Sequence, residues 1–448
     1  MAPSNQRRGT VVVRTALAVL AILVLAVLAH VALPLAVQPR LPPPNRMPAA
    51  GAPLTYDAAL EQARERVQGA GEVAAAHPDE WLHQEGLAGA WIALARLTGD
   101  FDAYAQAQAA LDRAFALAPP RAGPHMTQAS LDFTLHRLGH AEAMVEAFAH
   151  YAVPPEREDV DEVAGMRGDL AFYRGRYALA WRWYSGGKTF SPSLFRQAVY
   201  QGRTGQADAA LASIDAQERE MRFPQAQSLA NLELQRGALE LQRGDWPRAT
   251  THFAKAQRLF PGYWLAQAHS AQMLALSGHR AEAIARFTDL AGRSGAPEVM
   301  DALAAVYRAE GDSAHAELWA ARAGTIWARR VQQIPEAAWG HAVEHELAFG
   351  DPARALDLAL KDYRARPYGV SAVTLASAYV ANRDPAEALR ILQPLDHTPF
   401  VSADGHATAA QAYELLGDAK GAEAERRAAL KINPHCLDRD TALIWFGH

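Results

Sequence analysis

Ten short turns punctuate this chain, and their spacing constrains its fold more than any other feature. Nine are marked by glycine, at Gly99, Gly139, Gly175, Gly205, Gly244, Gly278, Gly311, Gly350 and Gly417; the tenth, NRDP, has Arg383 in that place. From Gly244 onward the gaps are 34, 33, 39, 33 and 34 residues, and the gaps before it are looser. Five residues beyond the turn, eight of the ten units carry alanine: Ala180, Ala210, Ala249, Ala283, Ala316, Ala355, Ala388 and Ala422. Nine beyond it several units carry a large residue, as at Phe148, Tyr184, Phe253 and Phe287. Pro261, Pro367 and Pro434 stand seventeen beyond. Upstream, Tyr307, Tyr379 and Tyr413 precede their turns by four residues, and Ala304, Ala376 and Ala410 by seven.

Each element of this pattern has a packing reason. Glycine tolerates the positive φ with which a helix ends in a tight turn. Two antiparallel helices approach closely only where one presents a small residue, and the aromatic then fills the space beside that contact. Proline lacks an amide hydrogen and disfavours helix just before it, so it stops the second helix. The chain is rich in Ala and Leu, both strong helix formers, and poor in alternating β-branched runs, so the expected class is all-α. Stacked helix pairs of this kind bury a continuous core.

The pattern resembles the tetratricopeptide repeat, a helix-turn-helix unit of 34 residues, over roughly residues 80–434. It is strongest around Gly244, Gly311, Arg383 and Gly417, and weaker around Gly99 and Gly139, which lack the alanine. The resemblance implies a right-handed α-solenoid with a concave face that binds peptides or protein partners. If the first helix of each pair lines that face, the candidate binding residues are Asn231, Gln272, Arg308, Glu344, Ser377, Gln411 and Glu414. They form no Lys/Asn carboxylate clamp, so a partner's C-terminal carboxylate is not favoured.

The N-terminus adds a different signal. Arg7, Arg8 and Arg14 precede an uncharged apolar run over 15–37. As a helix this run is long enough to cross a hydrocarbon core of about 30 Å, and it exceeds the roughly 7–15 residues of a signal-peptide core. A single transmembrane anchor is expected, with a signal sequence cleaved after Ala29 as the alternative. The balance of Arg around the run places the N-terminus on the cytoplasmic side and the bulk of the chain in the periplasm of a Gram-negative cell. The expected organisation is therefore a basic segment 1–14, the span 15–37, a Pro-rich extended spacer 38–53, a solenoid of about ten helix pairs over 54–434 and a tail 435–448. The tail's apolar stretch, Ala442 to Phe446, is expected to cover the last repeat.

Other chemistry is thinly represented. The formal charge of −5 shows no basic excess of the kind that nucleic-acid binding needs. The single cysteine, Cys436, excludes a disulfide framework and a four-cysteine zinc site. HAVEH, from His341 to His345, matches the H-x-x-E-H pattern of inverted zinc peptidases. His341 and His345 share a helix face, Glu344 lies between them, and Glu387 or Glu414 would have to supply a third ligand. The aromatic cluster Trp181, Trp183 and Tyr184 reads as core or as a ligand anchor. The expectation is a scaffold without enzymatic activity or cofactor, binding an envelope protein or peptide. A zinc-dependent hydrolase at HAVEH and a polysaccharide-binding solenoid are the alternatives.

Overall fold

The computed structural model describes residues 46–446. The basic segment 1–14, the apolar run 15–37 and the first part of the Pro-rich spacer lie outside the described residues. Among the described residues no helix is long and apolar enough to cross a membrane. These residues form 21 α-helices and two 3-10 turns, with no strand.

Helix α1 (Tyr56–Ala76) opens the array, and ten antiparallel pairs follow. The first three are α2 (Trp81–Thr98) with α3 (Phe101–Leu117), α4 (His125–Thr134) with α5 (Leu138–Phe148), and α6 (Arg157–Tyr173) with α7 (Tyr177–Tyr184). The next three are α8 (Leu194–Arg203) with α9 (Ala207–Glu220), α10 (Ala226–Gln242) with α11 (Trp246–Leu259), and α12 (Trp264–Leu276) with α13 (Arg280–Ser294). The last four are α14 (Pro297–Ala309) with α15 (Ser313–Gln333), α16 (Pro335–Phe349) with α17 (Pro352–Ala365), α18 (Gly369–Ala381) with α19 (Pro385–Leu392), and α20 (Ala403–Leu415) with α21 (Ala419–Ile432).

The local code works as its chemistry requires. At most turns the residue after the landmark donates its amide to the carbonyl five positions back, as in Asp245 to Glu240 (2.8 Å), His279 to Leu274 (2.8 Å) and Asp418 to Tyr413 (2.9 Å). This six-to-one bond closes the first helix through a left-handed residue, here Gly244, Gly278 and Gly417. The next residue is often Asp, whose carboxylate caps the second helix: Asp245 accepts from Arg248 N at 3.1 Å and Asp418 from Gly421 N at 2.9 Å. Arg383 takes the same conformation at φ 61° without being glycine. Ala180, Ala210, Ala249, Ala283, Ala355, Ala388 and Ala422 are fully buried at the helix crossings. The aromatic nine beyond the turn lies on the small residue seven before it. A Cβ on Gly237 would stand 2.3 Å from the Phe253 ring, and one on Gly168 would stand 2.4 Å from that of Tyr184.

Two landmarks differ from the sequence reading. Gly139 lies inside α5, and the left-handed turn residue of that pair is His136, at φ 60°, with Arg137 N donating to Asp132 O at 2.8 Å. Counted from His136, the unit has its alanine at five (Ala141) and its small residue at seven before (Ala129), both fully buried. A histidine can occupy the left-handed region at modest cost, so glycine is an incomplete marker. Gly350 has φ −115° and closes its turn differently, with Asp351 N donating to the Glu346 carboxylate at 3.0 Å.

Even-numbered helices, the first of each pair, touch one another along the array, as α12 touches α14, α16 touches α18 and α18 touches α20. They therefore line the inside of the curve. The curve is tight enough for one coil to rest on the next. The turns of the second to fifth pairs meet the corner that follows the pair five units further on. His136 Nδ1 lies 3.3 Å from Glu336 O, Tyr177 Oη accepts from Gly369 N at 2.8 Å, and Val401 N donates to Arg203 O at 2.9 Å. A Cβ on Gly175 would meet Pro367 O at 2.8 Å, and one on Gly244 would meet Asn433 Oδ1 at 2.6 Å. The glycines there serve both the positive φ and the coil contact.

Buried charge is matched within the array. The Arg236 guanidinium on α10, 2 % exposed, holds Asp215 at 2.8 Å, Glu218 at 2.7 Å and Glu233 at 2.7 Å. The spacer's described end also lies on the body: Arg46 donates to Arg219 O at 3.1 Å and Met221 O at 2.7 Å, and Ala49 N to Pro224 O at 2.7 Å. From Arg46 onward the chain is thus docked and does not stand away as an extended spacer.

Candidate partner-binding face

The inside of the curve is built from the exposed stripe of the even-numbered helices, because the odd-numbered helices cover the opposite face. On this face Gln272 of α12 is fully buried, and what buries it is the protein's own C-terminus. Gln272 Oε1 accepts from Trp445 N and from Phe446 N, each at 2.7 Å, and its Nε2 donates to Phe446 O at 2.7 Å. One side-chain amide therefore satisfies three backbone groups of an extended segment. The Phe446 ring packs against His269 (centroids 5.6 Å) and Phe287 (6.4 Å), and Trp445 stacks on Phe349 at 5.8 Å and 12°. Upstream, the 3-10 turn Arg439–Leu443 lies on α12 and α14, and Asp440 pairs with Arg280 at 2.7 Å. The tail thus covers α12, α14 and α16 in mid-array, not the last repeat as expected. An apolar segment gains free energy by leaving water for apolar surface, and the inside of the curve offers His269, Phe287 and Phe349 several helices away.

Of the residues singled out from sequence, Arg308 belongs to the same place. Its guanidinium lies 4.5 Å above the Phe349 ring that carries Trp445, and it donates to Ala348 O at 2.6 Å. Ser377 is bonded to Thr408 on the neighbouring first helix at 3.0 Å, Glu344 lies 3.7 Å from His341, and Glu414 pairs with Arg426 on α21. Asn231 is half-buried, and Gln411 is exposed near the far end of the array. The structure thus gathers Gln272 and Arg308 at the tail and leaves the other five spread along the face. Of the residues that complete the site, Phe287 was marked by spacing only as a packing residue and Trp445 and Phe446 by the apolar character of the tail, while His269 and Phe349 carried no sequence signal.

HAVEH is not gathered as a ligand set. His345 is buried with Nδ1 on Asp301 Oδ1 at 2.7 Å, and Asp301 Oδ2 accepts from Trp327 Nε1 at 2.8 Å. His341 instead stacks on Trp327. Burial works against its charged form, but the hydrogen bond and charge of Glu344 prevail and hold its pKa above the usual imidazole value. A raised pKa makes the proton a stronger competitor for the imidazole nitrogen that a metal would need. Glu387 is taken by Arg390 at 2.6 Å. Among the described residues, the group whose ligating atoms do converge is His77, Glu80 and His83, at the corner between α1 and α2.

The remaining features are structural. Tyr184 is buried with its hydroxyl 2.9 Å from Asp169, Trp181 packs on Tyr200 at 5.0 Å, and Trp183 on Phe190 at 5.3 Å. Burial pushes the Cys436 thiol pKa up, the opposite of what a reactive thiolate needs.

No family model and no curated protein matches the chain. Solved structures similar to it include a tetratricopeptide repeat protein from Parabacteroides merdae, at 12 % identity and TM-score 0.32, covering 56 % of this chain and 94 % of that one. The tetratricopeptide domain of P58(IPK) is similar at 14 % identity and TM-score 0.27, covering 87 % and 98 %. Human IFIT1, in a dimer with PPP-AAAA, is similar at 14 % identity and TM-score 0.37, covering 83 % and 86 %. The repeat type is carried by this chain's own geometry: paired helices, left-handed turns, buried alanines and aromatics seated on small residues.

Proposed function

We propose that this chain is a non-enzymatic, membrane-anchored scaffold of the bacterial cell envelope, whose inner face binds an extended segment of a protein partner. The observation that supports this reading is the tail on Gln272. The inner face between α12 and α16 accepts an extended apolar peptide with paired backbone hydrogen bonds and seats for two aromatic rings. This is how a groove recognises a peptide: main-chain bonds give affinity and side-chain pockets give selectivity. The tail is the groove's resident occupant, and a partner segment of similar chemistry takes its place. The anchor is the apolar run 15–37, which would hold the groove beside the membrane with the solenoid in the periplasm.

The test is a fluorescence titration with a labelled peptide of the sequence 439–448. The chain lacking those ten residues, its helicity checked by circular dichroism, is expected to bind the peptide saturably. The full chain is expected to bind it at least tenfold more weakly, and Gln272→Ala in the shortened chain is expected to abolish the gain. Equal binding to all three would refute the groove. Fractionation and protease accessibility of the full chain in cells test the anchor and its orientation.

A further inference from the structure

Most histidine–carboxylate contacts in this protein pair one imidazole with one acid. His252 meets Glu233 at 2.7 Å, His406 meets Glu425 at 2.7 Å and His435 meets Asp438 at 2.8 Å. The corner HPDEWLH is different. His77 Nδ1 lies 3.3 Å from one oxygen of Glu80, and His83 Nε2 lies 3.1 Å from the other. The two imidazole rings stand 4.9 Å apart, and the three ligating atoms all lie within 4.8 Å of one another.

These separations carry chemical information. Metal–nitrogen and metal–oxygen bonds of about 2.0–2.2 Å at a tetrahedral centre put neighbouring ligand atoms roughly 3.3–3.6 Å apart. Each His–Glu separation, measured to a different oxygen of the one carboxylate, is already close to that range. The remaining gap between the imidazoles closes by rotation of side chains that are 51 % and 34 % exposed and free to turn.

The backbone beneath the three residues is fixed. His77 ends α1, with its amide on Val73 O at 3.0 Å. Glu80 N donates to His77 O and His83 N to Glu80 O, each at 3.2 Å, so the corner is a closed turn running into α2. Gln84, one residue beyond, is buried, donates to Ala74 O at 3.2 Å and accepts from Arg113 at 3.2 Å, which ties the start of α2 to the end of α1. Glu80 occupies the N-cap position of α2, yet its side chain makes no capping bond and turns to the histidines instead. With the backbone already set, metal binding has only side-chain rotations left to fix.

We propose that His77, Glu80 and His83 form a binding site for a divalent first-row transition metal, zinc above all. Two imidazoles and one carboxylate suit zinc, cobalt, nickel or copper, whereas calcium and magnesium take oxygen ligands. The three protein ligands face solvent, so water completes the shell. Bound metal staples the end of α1 to the start of α2 and stiffens the first corner of the array. The site is remote in sequence from HAVEH and independent of the inner groove.

The test is calorimetric titration of the untagged full chain in detergent, stripped with EDTA, with zinc chloride. One saturable equivalent is expected, weakened at least tenfold by His77→Ala and by His83→Ala, and less by Glu80→Gln. His77 and Glu80 are exposed and His83 is half-buried at the surface, so these variants are expected to keep their fold, which circular dichroism verifies. His341→Ala is expected to bind as the parent does. Cobalt should give the visible absorption of a four-coordinate site in the parent and not in His77→Ala. Zinc should also slow amide exchange across residues 76–84. Absence of saturable zinc binding, or binding that survives the double His77/His83 variant, overturns the assignment. Neither result touches the scaffold reading, which rests on the tail and Gln272.

Discussion

Replacing Gln272 with alanine isolates the interaction that seats the tail. The wild-type side chain makes three hydrogen bonds to the tail backbone, each 2.7 Å long. A typical buried hydrogen bond contributes about 1 kcal/mol net, so the substitution removes about 3 kcal/mol of docking free energy. At 1.4 kcal/mol per factor of ten, the ratio of seated to released tail falls by roughly 100-fold. The aromatic contacts of Trp445 and Phe446 survive the change, so the tail loosens without the array unfolding. Hydrogen–deuterium exchange followed by mass spectrometry reads this directly. Amides of the segment 439–446 should exchange about two orders of magnitude faster in the variant. Those of α18 and α20, three and four pairs beyond α12, should keep their wild-type rates. Unchanged protection of the tail would refute the argument that Gln272 holds it, and a uniform rise along the array would show a structural role instead.

Other perturbations test other parts of the structure. Gly175→Ala and Gly278→Ala both force alanine into the left-handed region, at about 1–2 kcal/mol. Only Gly175 has a neighbour in the next coil, where the new methyl group would stand 2.8 Å from Pro367 O, so urea denaturation should show it to be about 1–3 kcal/mol more costly than Gly278→Ala. Arg236→Met strands the buried carboxylates of Asp215 and Glu218 and should cost about 3–5 kcal/mol in the same assay. Burial raises the Glu233 pKa, but the His252 hydrogen bond and the Arg236 and Lys255 charges outweigh it and hold the pKa at about 2. Its stabilisation is therefore complete above the ordinary value of 4.5 and is lost as pH falls toward 2, a loss that Glu233→Gln should flatten in acid titrations followed by circular dichroism. Burial, with lesser repulsion from Arg366 and His341, lowers the His136 pKa from 6.5 to about 3. The unfolded chain then takes up a proton that the folded one refuses, so stability falls with falling pH between those values and His136→Asn should remove that part of the slope.

What the sequence determined was everything whose cause lies within one repeat. A turn residue at positive φ, an Asp cap beside it, an alanine at the crossing and an aromatic over a small residue all act across a few tens of positions. Ala249, Phe253 and Gly244 could therefore be assigned their packing roles by spacing alone. The same reading slipped where the chemistry is degenerate, taking Gly139 for a turn that His136 makes. HAVEH shows the limit of a motif: its spacing puts two imidazoles on one helix, but the side chains available on α14 and α15 decide that His345 serves Asp301. The tertiary structure alone decided which distant parts meet. Each helix pair adds a small rotation; the sum over five pairs brings Gly175 onto Pro367, and the sum over four brings the tail back onto Gln272. A small change per repeat, accumulated over the 173 to 192 residues between the partners, would separate both contacts, and no local pattern encodes that sum. The His77–Glu80–His83 corner lies between these cases. Its ligands are close in sequence, but the buried Gln84 and the closed turn, seen only in the folded chain, set their side chains toward one point.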